Sequence, residues 1–340
     1  MTRRTREGRC RGALHDTGLS GFAVLVNRIQ ENRVTTATYP IEIQDAEAFD
    51  VRNPKPGIYR GLADDSYFAA RAVNHSTLLH MGKTPAHFRD AFECPMHRES
   101  DAMRLGSLAH MLLFEPSRVS SSIVPAPVNP RTQEAFGSDT KAWADYAAEH
   151  AGKLIVSEDE MAIARSMAAA IIEHPNLGTI FNAATDTEVV IVWDDYGVLC
   201  KAKIDAMVGT MMAGDLKTTD DASERAFAAK MVSYSYITQS AFYTRGLRAL
   251  GLDGMDFVFG VVEKPAKSET AEFIRSGRKC KAVAYMIGEN TAAAGRAMVS
   301  DWLSHVSKCR ALKEWPGYTS EIVQIEAPTY FLAKFADGNV

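Results

Sequence analysis

Closely spaced cysteines are missing from this sequence. Its five cysteines, Cys10, Cys94, Cys200, Cys280 and Cys309, are odd in number and widely scattered, and no two form a CxxC pair. That argues against a disulfide framework and against a structural zinc site, so reduced thiols are expected. Long apolar runs are missing as well. The segments "TEVVIVW" and "MDFVFGVV" fall far short of the roughly 18 to 20 residues that cross a bilayer, and no membrane span is expected. There is no excess of basic charge either: the formal net charge is -4. Any grip on a polyanion must then be local, because the global positive field of many nucleic-acid binders is absent. The arginine-rich start, "MTRRTREGRCR", is followed by no apolar region with a small-residue cleavage site. A secretory signal is not expected, and the chain reads as cytoplasmic.

What is present is enough apolar sequence, 46% of 340 residues, for one large domain or two small ones. Residues 1–50 read as an N-terminal extension, poorly ordered over its first dozen positions and able to hold one or two strands beyond them. Residues 51–340 carry the pattern of a globular domain. "NHSTLLHMGKTPAHFRDAF" predicts two short helices broken at Thr84-Pro85, since a residue before proline is pushed out of the α region. "DAMRLGSLAHMLLFEP" predicts an apolar helix stopped by Pro116. The proline- and serine-rich stretch "SSSIVPAPVNPRTQEAFGSDT" reads as a surface loop. Helices follow at "KAWADYAAEHAG" and "SEDEMAIARSMAAAIIEHP", the second opened by Ser157 and Glu160 in capping-box spacing. Three strand patterns, "TEVVIVW", "GVLCKAKIDAMV" and "TMMAGDLK", with a "DDYG" turn between the first two, predict an antiparallel meander. Then come a long helical region from "DASERAF" to "RGLRALG", strands at "DFVFGVVEK" and "AVAYMIG", and a helix over "TAAAGRAMVSDWLSHVSKCRAL". This order suits an α/β fold with a mixed central sheet flanked by helices.

The charged pair inside "AGDLKTT" carries the chemistry. Burying a carboxylate and an ammonium in an apolar strand costs several kcal/mol unless each finds a partner or a metal. Asp215 and Lys217 are two apart and project from one face of their strand. One strand earlier, Asp205 shares a face with Lys203 and Lys201, and a hairpin closing at "VGTM" brings Asp205 beside Asp215. Two carboxylates and an ammonium on neighbouring strands suit a hard divalent ion, with the lysine free to hold attacking water or developing phosphate charge. Glu188, opening "TEVVIVW", could be a further ligand or an exposed strand end. His110 lies four residues after Gly106 on one helical face, where the glycine would let another backbone approach; alone, a histidine on an apolar helix is more often a satisfied core residue. Gln239 and Tyr243 share a helical face, and by themselves fit a polar and aromatic interface stripe.

In the order G-x-x-x-H, E, D, D-x-K, Q-x-x-x-Y, these residues are no longer generic. The sequence resembles the PD-(D/E)XK nuclease superfamily, and within it the branch holding the RecB-like nuclease domains and the RecE-type exodeoxyribonuclease VIII. The resemblance runs from about residue 57 to residue 330. "IYRGLADDSYF" and "NHSTLLHMGKTPAHF" look like the helical entry, "RLGSLAHMLLFEP" like the histidine helix, and "LCKAKIDAM" and "GDLKTTDDAS" like the catalytic strands. "YSYITQSAFY" looks like the glutamine helix and "WPGY" like the C-terminal segment. One departure is Lys203, where relatives often carry arginine; it keeps the charge but loses a bidentate grip on phosphate.

The resemblance implies a restriction-endonuclease-like core that is a metal-dependent DNA exonuclease. His110, Asp205, Asp215 and the backbone carbonyl of Leu216 would hold Mg2+ or Mn2+. Lys217 would be the catalytic lysine, with Asp215, Asp205 and Glu188 as the acidic members. Gln239, Tyr243, Lys203 and Thr218 would contact or orient the substrate strand. Such enzymes digest linear double-stranded DNA from 5′ ends and leave 3′ overhangs for a RecT-type annealing protein, often as ring-shaped homo-oligomers in phage or prophage recombination modules. Arg275, Arg278, Lys279 and Lys281, with the N-terminal arginines, are candidate DNA contacts or a solvated basic loop. A single-strand or endonucleolytic RecB-like enzyme is an alternative, though its relatives usually carry clustered cysteine ligands that this sequence lacks. A non-catalytic DNA-end-binding module is another, though such modules normally lose a metal carboxylate or the lysine.

Overall fold

The structure is a computed structural model describing residues 26–27, 29, 39–95, 101–132, 134–329 and 331–332. Most of the expected N-terminal extension lies outside the described residues. Nine strands run along the described chain: β1 (Ile43–Asp45), β2 (Gly57–Arg60), β3 (Ile123–Pro125), β4 (Leu154–Val156), β5 (Asp186–Asp195), β6 (Val198–Val208), β7 (Met212–Thr219), β8 (Asp256–Glu263) and β9 (Ala282–Met286). Seven of them form one sheet in the order β1-β2-β5-β6-β7-β8-β9, and β3 pairs with β4.

The meander β5-β6-β7 is antiparallel throughout. Its first turn closes on Tyr196 and Gly197, both at positive φ, the conformation whose twist matches two-residue hairpins. From β7 the chain crosses over through helices Glu224–Ser233 and Tyr236–Ala249 and returns as β8, parallel to β7. β9 then pairs antiparallel to β8, and β1 lies parallel to β2 at the far edge. The sheet is therefore mixed, as expected.

Val189–Trp193 of β5 are fully buried or nearly so, because helices cover both faces of the sheet; strands buried on both sides read as unbroken apolar runs. On one face Ile191 and Trp193 join Phe242, Leu247, Val299, Leu303 and Val306, from helices Tyr236–Ala249 and Glu289–Leu312. The second face packs Leu216 and Val258 against Met167, Ile171, Ile180 and Phe181 of helices Glu158–Glu173 and Pro175–Asn182. Ala109 and Phe114 of helix Asp101–Phe114 belong to that second core, which anchors His110 above the strands.

Local signals are realised where they were self-contained. Thr84 caps helix Pro85–Glu93 through His87 N, and Ser157 and Glu160 form the reciprocal capping box. Three elements differ from expectation. β3 falls inside the stretch read as loop, because its partner β4 lies some thirty positions away and supplies the ladder. Helix Pro175–Asn182 follows immediately after Glu158–Glu173; His174 caps it, its Nδ1 accepting from Asn176 N and Leu177 N at 3.3 and 3.2 Å. The long helical region is divided at Ser235, whose backbone is left-handed at φ 59°, ψ 32°.

Candidate functional site

Lys203 and Asp205 of β6, Asp215 and Lys217 of β7 and Glu188 of β5 come together at one site, and helix Asp101–Phe114 lowers His110 onto it. His110 Nδ1 lies 3.4 Å from Asp205 Oδ2 and 3.8 Å from Glu188 Oε1. One ligand atom from each of His110, Glu188 and Asp205 lies within 4.8 Å of the other two. His110 Nε2 stands 3.1 Å from the carbonyl oxygen of Leu216, and the backbone N–H of Leu216 donates to Asp205 Oδ2 at 2.7 Å. Both backbone groups of Leu216 thus face this cluster, although its apolar side chain belongs to the core.

Asp215 and Lys217 share a face and an ion pair. Gln239 Nε2 donates to Asp215 Oδ1 at 2.9 Å, so the glutamine holds the carboxylate. The Lys217 ammonium lies 4.9 Å from the centre of the Tyr236 ring, within cation–π range. Lys203 bridges Glu188 at 2.5 Å and Asp64 at 2.7 Å. Tyr243 and Thr218 line the same cleft. Gly106 faces the side chain of Thr218 and not the backbone expected, with a Cβ there placed 3.4 Å from Thr218 Oγ1. Lys201 stays apart: it is buried and donates to the carbonyls of Tyr67 and, at 2.6 Å, Ala70.

Glu188 is not an exposed strand end. Its side chain is only 14% exposed, and its backbone sits at φ 52°, in the left-handed region that an L-residue enters at a cost of about 1–2 kcal/mol. It interrupts the β5-β6 ladder between the Thr187–Ala206 and Val189–Ile204 pairs. Strain of this kind persists where the surroundings hold a side chain in place.

The electrostatics report crowded negative charge. Burial opposes protonation of His110, but Asp205, Glu188 and Asp215 outweigh it and raise its pKa to about 9. Burial, with Asp215 and Glu188 adding to it, lifts Asp205 to about 7 against the opposing pull of His110 and Lys217. Burial also penalises Glu188, yet His110 and Lys203 bring it below the usual carboxylate range. Lys217 is buried too, and Asp215 and Asp205 nevertheless hold its pKa above normal. A protonated imidazole wedged among carboxylates marks a place where a cation is favoured. Carboxylate oxygens with one imidazole nitrogen fit Mg2+ or Mn2+.

The cleft over these groups has a volume of about 1170 Å³. It also exposes residues that sequence reasoning passed over: Arg118, Lys230, Tyr234 and Tyr236. Tyr236 was within reach of the helical period, three residues before Gln239; Arg118 carried no local signal. Arg275, Arg278, Lys279 and Lys281 do not line the cleft; Lys279 pairs with Glu173 at 3.1 Å and Arg278 lies over the Phe273 ring.

A family profile described as "PDDEXK-like domain of unknown function (DUF3799)" matches residues 74–328. No curated protein matches the chain. Among solved structures, a candidate exonuclease from Eubacterium rectale shares the fold with a TM-score of 0.50, at 12% sequence identity, over 81% of this chain and 98% of that one. No described helix is long and apolar enough to cross a membrane.

Proposed function

Because the chain belongs to this family of PDDEXK-like domains, we propose that it is a metal-dependent deoxyribonuclease, with residues 51–340 as the nuclease domain behind an N-terminal extension of residues 1–50. The observation that carries the reading is the convergence of Glu188, Asp205, Asp215 and Lys217 on three neighbouring strands beneath His110. His110, Asp205 and Glu188 would hold the divalent cation, with Asp215 and the Leu216 carbonyl beside them. When bound, that cation polarises the phosphodiester and lowers the pKa of water.

The chain's own residues then have separable tasks. Lys217, kept charged by Asp215 and Asp205, places an ammonium where negative charge grows on the phosphate, an electrostatic contribution made in a water-poor site. Gln239 fixes Asp215, and with it the direction of the Lys217 pair. Lys203 neutralises Glu188 and stands on the cleft wall beside Asp64, in position to meet the substrate strand. Thr218 offers a hydroxyl to the same cleft, and Tyr243 lines it about one helical turn beyond Gln239.

The substrate is linear double-stranded DNA, digested from 5′ ends in Mg2+ or Mn2+ to leave 3′ overhangs. This reading includes a RecE-like role in recombination, a RecT-type annealing partner, a ring-shaped homo-oligomer and a cytoplasmic location; the motif order and the RecE-type segments of the sequence support it. The test is digestion of end-labelled linear duplex by the wild-type protein, Asp205→Asn and Lys217→Ala, with covalently closed circular DNA alongside. Each substitution should lower the rate by at least about a hundredfold, and the circle should stay intact. Equal digestion by all three proteins would place the activity elsewhere, and cutting of the circle would make the enzyme an endonuclease.

A further inference from the structure

The cleft also carries aromatic surface that hydrolysis at a cation does not use. Tyr234 is 61% exposed and Phe68 43% exposed, and both line the cleft that holds His110, Asp205 and Lys217. They stand on different sides of it. Phe68 belongs to the short helix Asp64–Ala69, tied by Asp64 to Lys203 of β6, and Tyr234 adjoins Tyr236, which covers Lys217 of β7.

Tyr234 is the outer end of an aromatic ladder. Its ring stacks on that of Tyr236 at 5.8 Å with 27° between planes. Tyr236 stacks in turn on Phe227, at 5.8 Å and 28°, and Phe227 on Tyr285, at 4.9 Å and 9°. Ser235 supplies the geometry. Its left-handed backbone ends one helix and begins the next, so the rings on either side of it come face to face. An L-residue occupies that region only against a steric penalty, and such penalties persist where the surroundings fix the conformation. The ladder therefore runs from half-buried Tyr285 on β9 through buried Phe227, passes the ammonium of the candidate catalytic lysine, and opens to solvent at Tyr234 on a cleft that also carries Arg118 and Lys230.

We propose that Tyr234 is a stacking platform for an unpaired base of the nucleic-acid substrate, adjoining the phosphate held at Lys217, with Phe68 as a second platform on the β6 side. Every base has a π face, so stacking of this kind is tolerant of sequence and strong enough to select strand state. A base inside a duplex already has both faces covered by its neighbours. The platform consequently recognises a nucleotide that has left the duplex, at a frayed end or in a single strand. This assignment rests on the nuclease reading and specifies which part of the substrate the cleft admits.

The experiment uses the full-length protein with Ca2+ replacing Mg2+, and oligonucleotides carrying the fluorescent base 2-aminopurine either at an unpaired terminus or inside a blunt duplex. Wild-type protein and Tyr234→Phe should change the emission of the unpaired probe. Tyr234→Ala should abolish that change and weaken binding of the unpaired end by about 5- to 100-fold, with duplex-interior binding and the melting temperature unaltered. Phe68→Ala should weaken the unpaired end in the same sense. If Tyr234→Ala binds the unpaired end with wild-type affinity and emission, the platform is wrong even though the wild-type protein digests DNA. If the wild-type protein neither binds nor cuts any of these oligonucleotides in Mg2+ or Mn2+, the nuclease reading fails and the platform with it.

Discussion

His75 couples the interior of the fold to pH. It is 9% exposed and its Nε2 meets Thr238 Oγ1 at 2.9 Å; burial, and after it the charge of Lys217, lowers its pKa to about 3. An unfolded imidazole titrates near 6.5, so between those values the unfolded state binds more protons than the folded one. The stability contributed by the neutral ring is complete above pH 6.5 and is lost as pH falls toward 3. Urea unfolding at pH 7 and pH 5 should differ by about 2 kcal/mol through this residue, a difference that His75→Gln should lack. Gln239 is the second single residue with a measurable role. Gln239→Leu removes the donor to Asp215 Oδ1, and a buried acceptor left unpaired costs about 1–3 kcal/mol. Stability should fall by that amount and nuclease activity by more than tenfold; full activity in the variant would mean that Asp215 needs no support.

Some of this site was legible in the sequence and some was not, for reasons specific to each residue. Asp215 and Lys217 follow from the two-residue period of a strand, and Asp205 follows from one hairpin. Glu188 was ambiguous because its place beside His110 depends on a left-handed backbone that no local pattern announces. Tyr236 lay within reach of the helical period that carries Gln239, whereas Tyr234 was hidden by the apparent continuity of one helical region, which Ser235 interrupts.

At the scale of elements, glycines on two neighbouring strands make room for one ring. A Cβ on Gly214 of β7 would lie 2.9 Å from Phe181, and one on Gly260 of β8 would lie 2.8 Å from it. The ring of Phe181 therefore fills the space over both glycines, on the face that Leu216 also buries. Gly260→Ala should force the ring aside and cost about 1–3 kcal/mol by overpacking, read as a lowered urea midpoint with an unchanged slope. The capping box gives a smaller and cleaner number. Ser157→Ala should remove about 1 kcal/mol, because Ser157 Oγ accepts from Glu160 N at 3.2 Å and Glu160 answers to Ser157 N at 2.9 Å. The capped helix was readable from four residues, whereas β3 and helix Pro175–Asn182 were not. β3 exists through a distant parallel partner, and the second helix begins where the first runs into Pro175.

For the whole molecule, a cation that binds only the folded chain must raise its stability. At a concentration a hundred times its dissociation constant, Mn2+ should add about 2.7 kcal/mol, visible as an upward shift in melting temperature that a chelator reverses. Asp205→Asn should not show the shift; an equal shift in that variant would move the cation elsewhere. Mass action of this kind is independent of turnover, so it separates loss of the cation from loss of catalysis.

The outermost strands of the main sheet, β1 and β9, span only three and five residues. An open sheet margin is a template on which another chain can lay its own backbone, and brevity is one way proteins blunt it. Among the described residues, little unpaired main chain is then offered for sheet-to-sheet growth. Association of copies through side-chain surfaces would leave the seven-stranded framework, and the angle at which its carboxylates point, undisturbed.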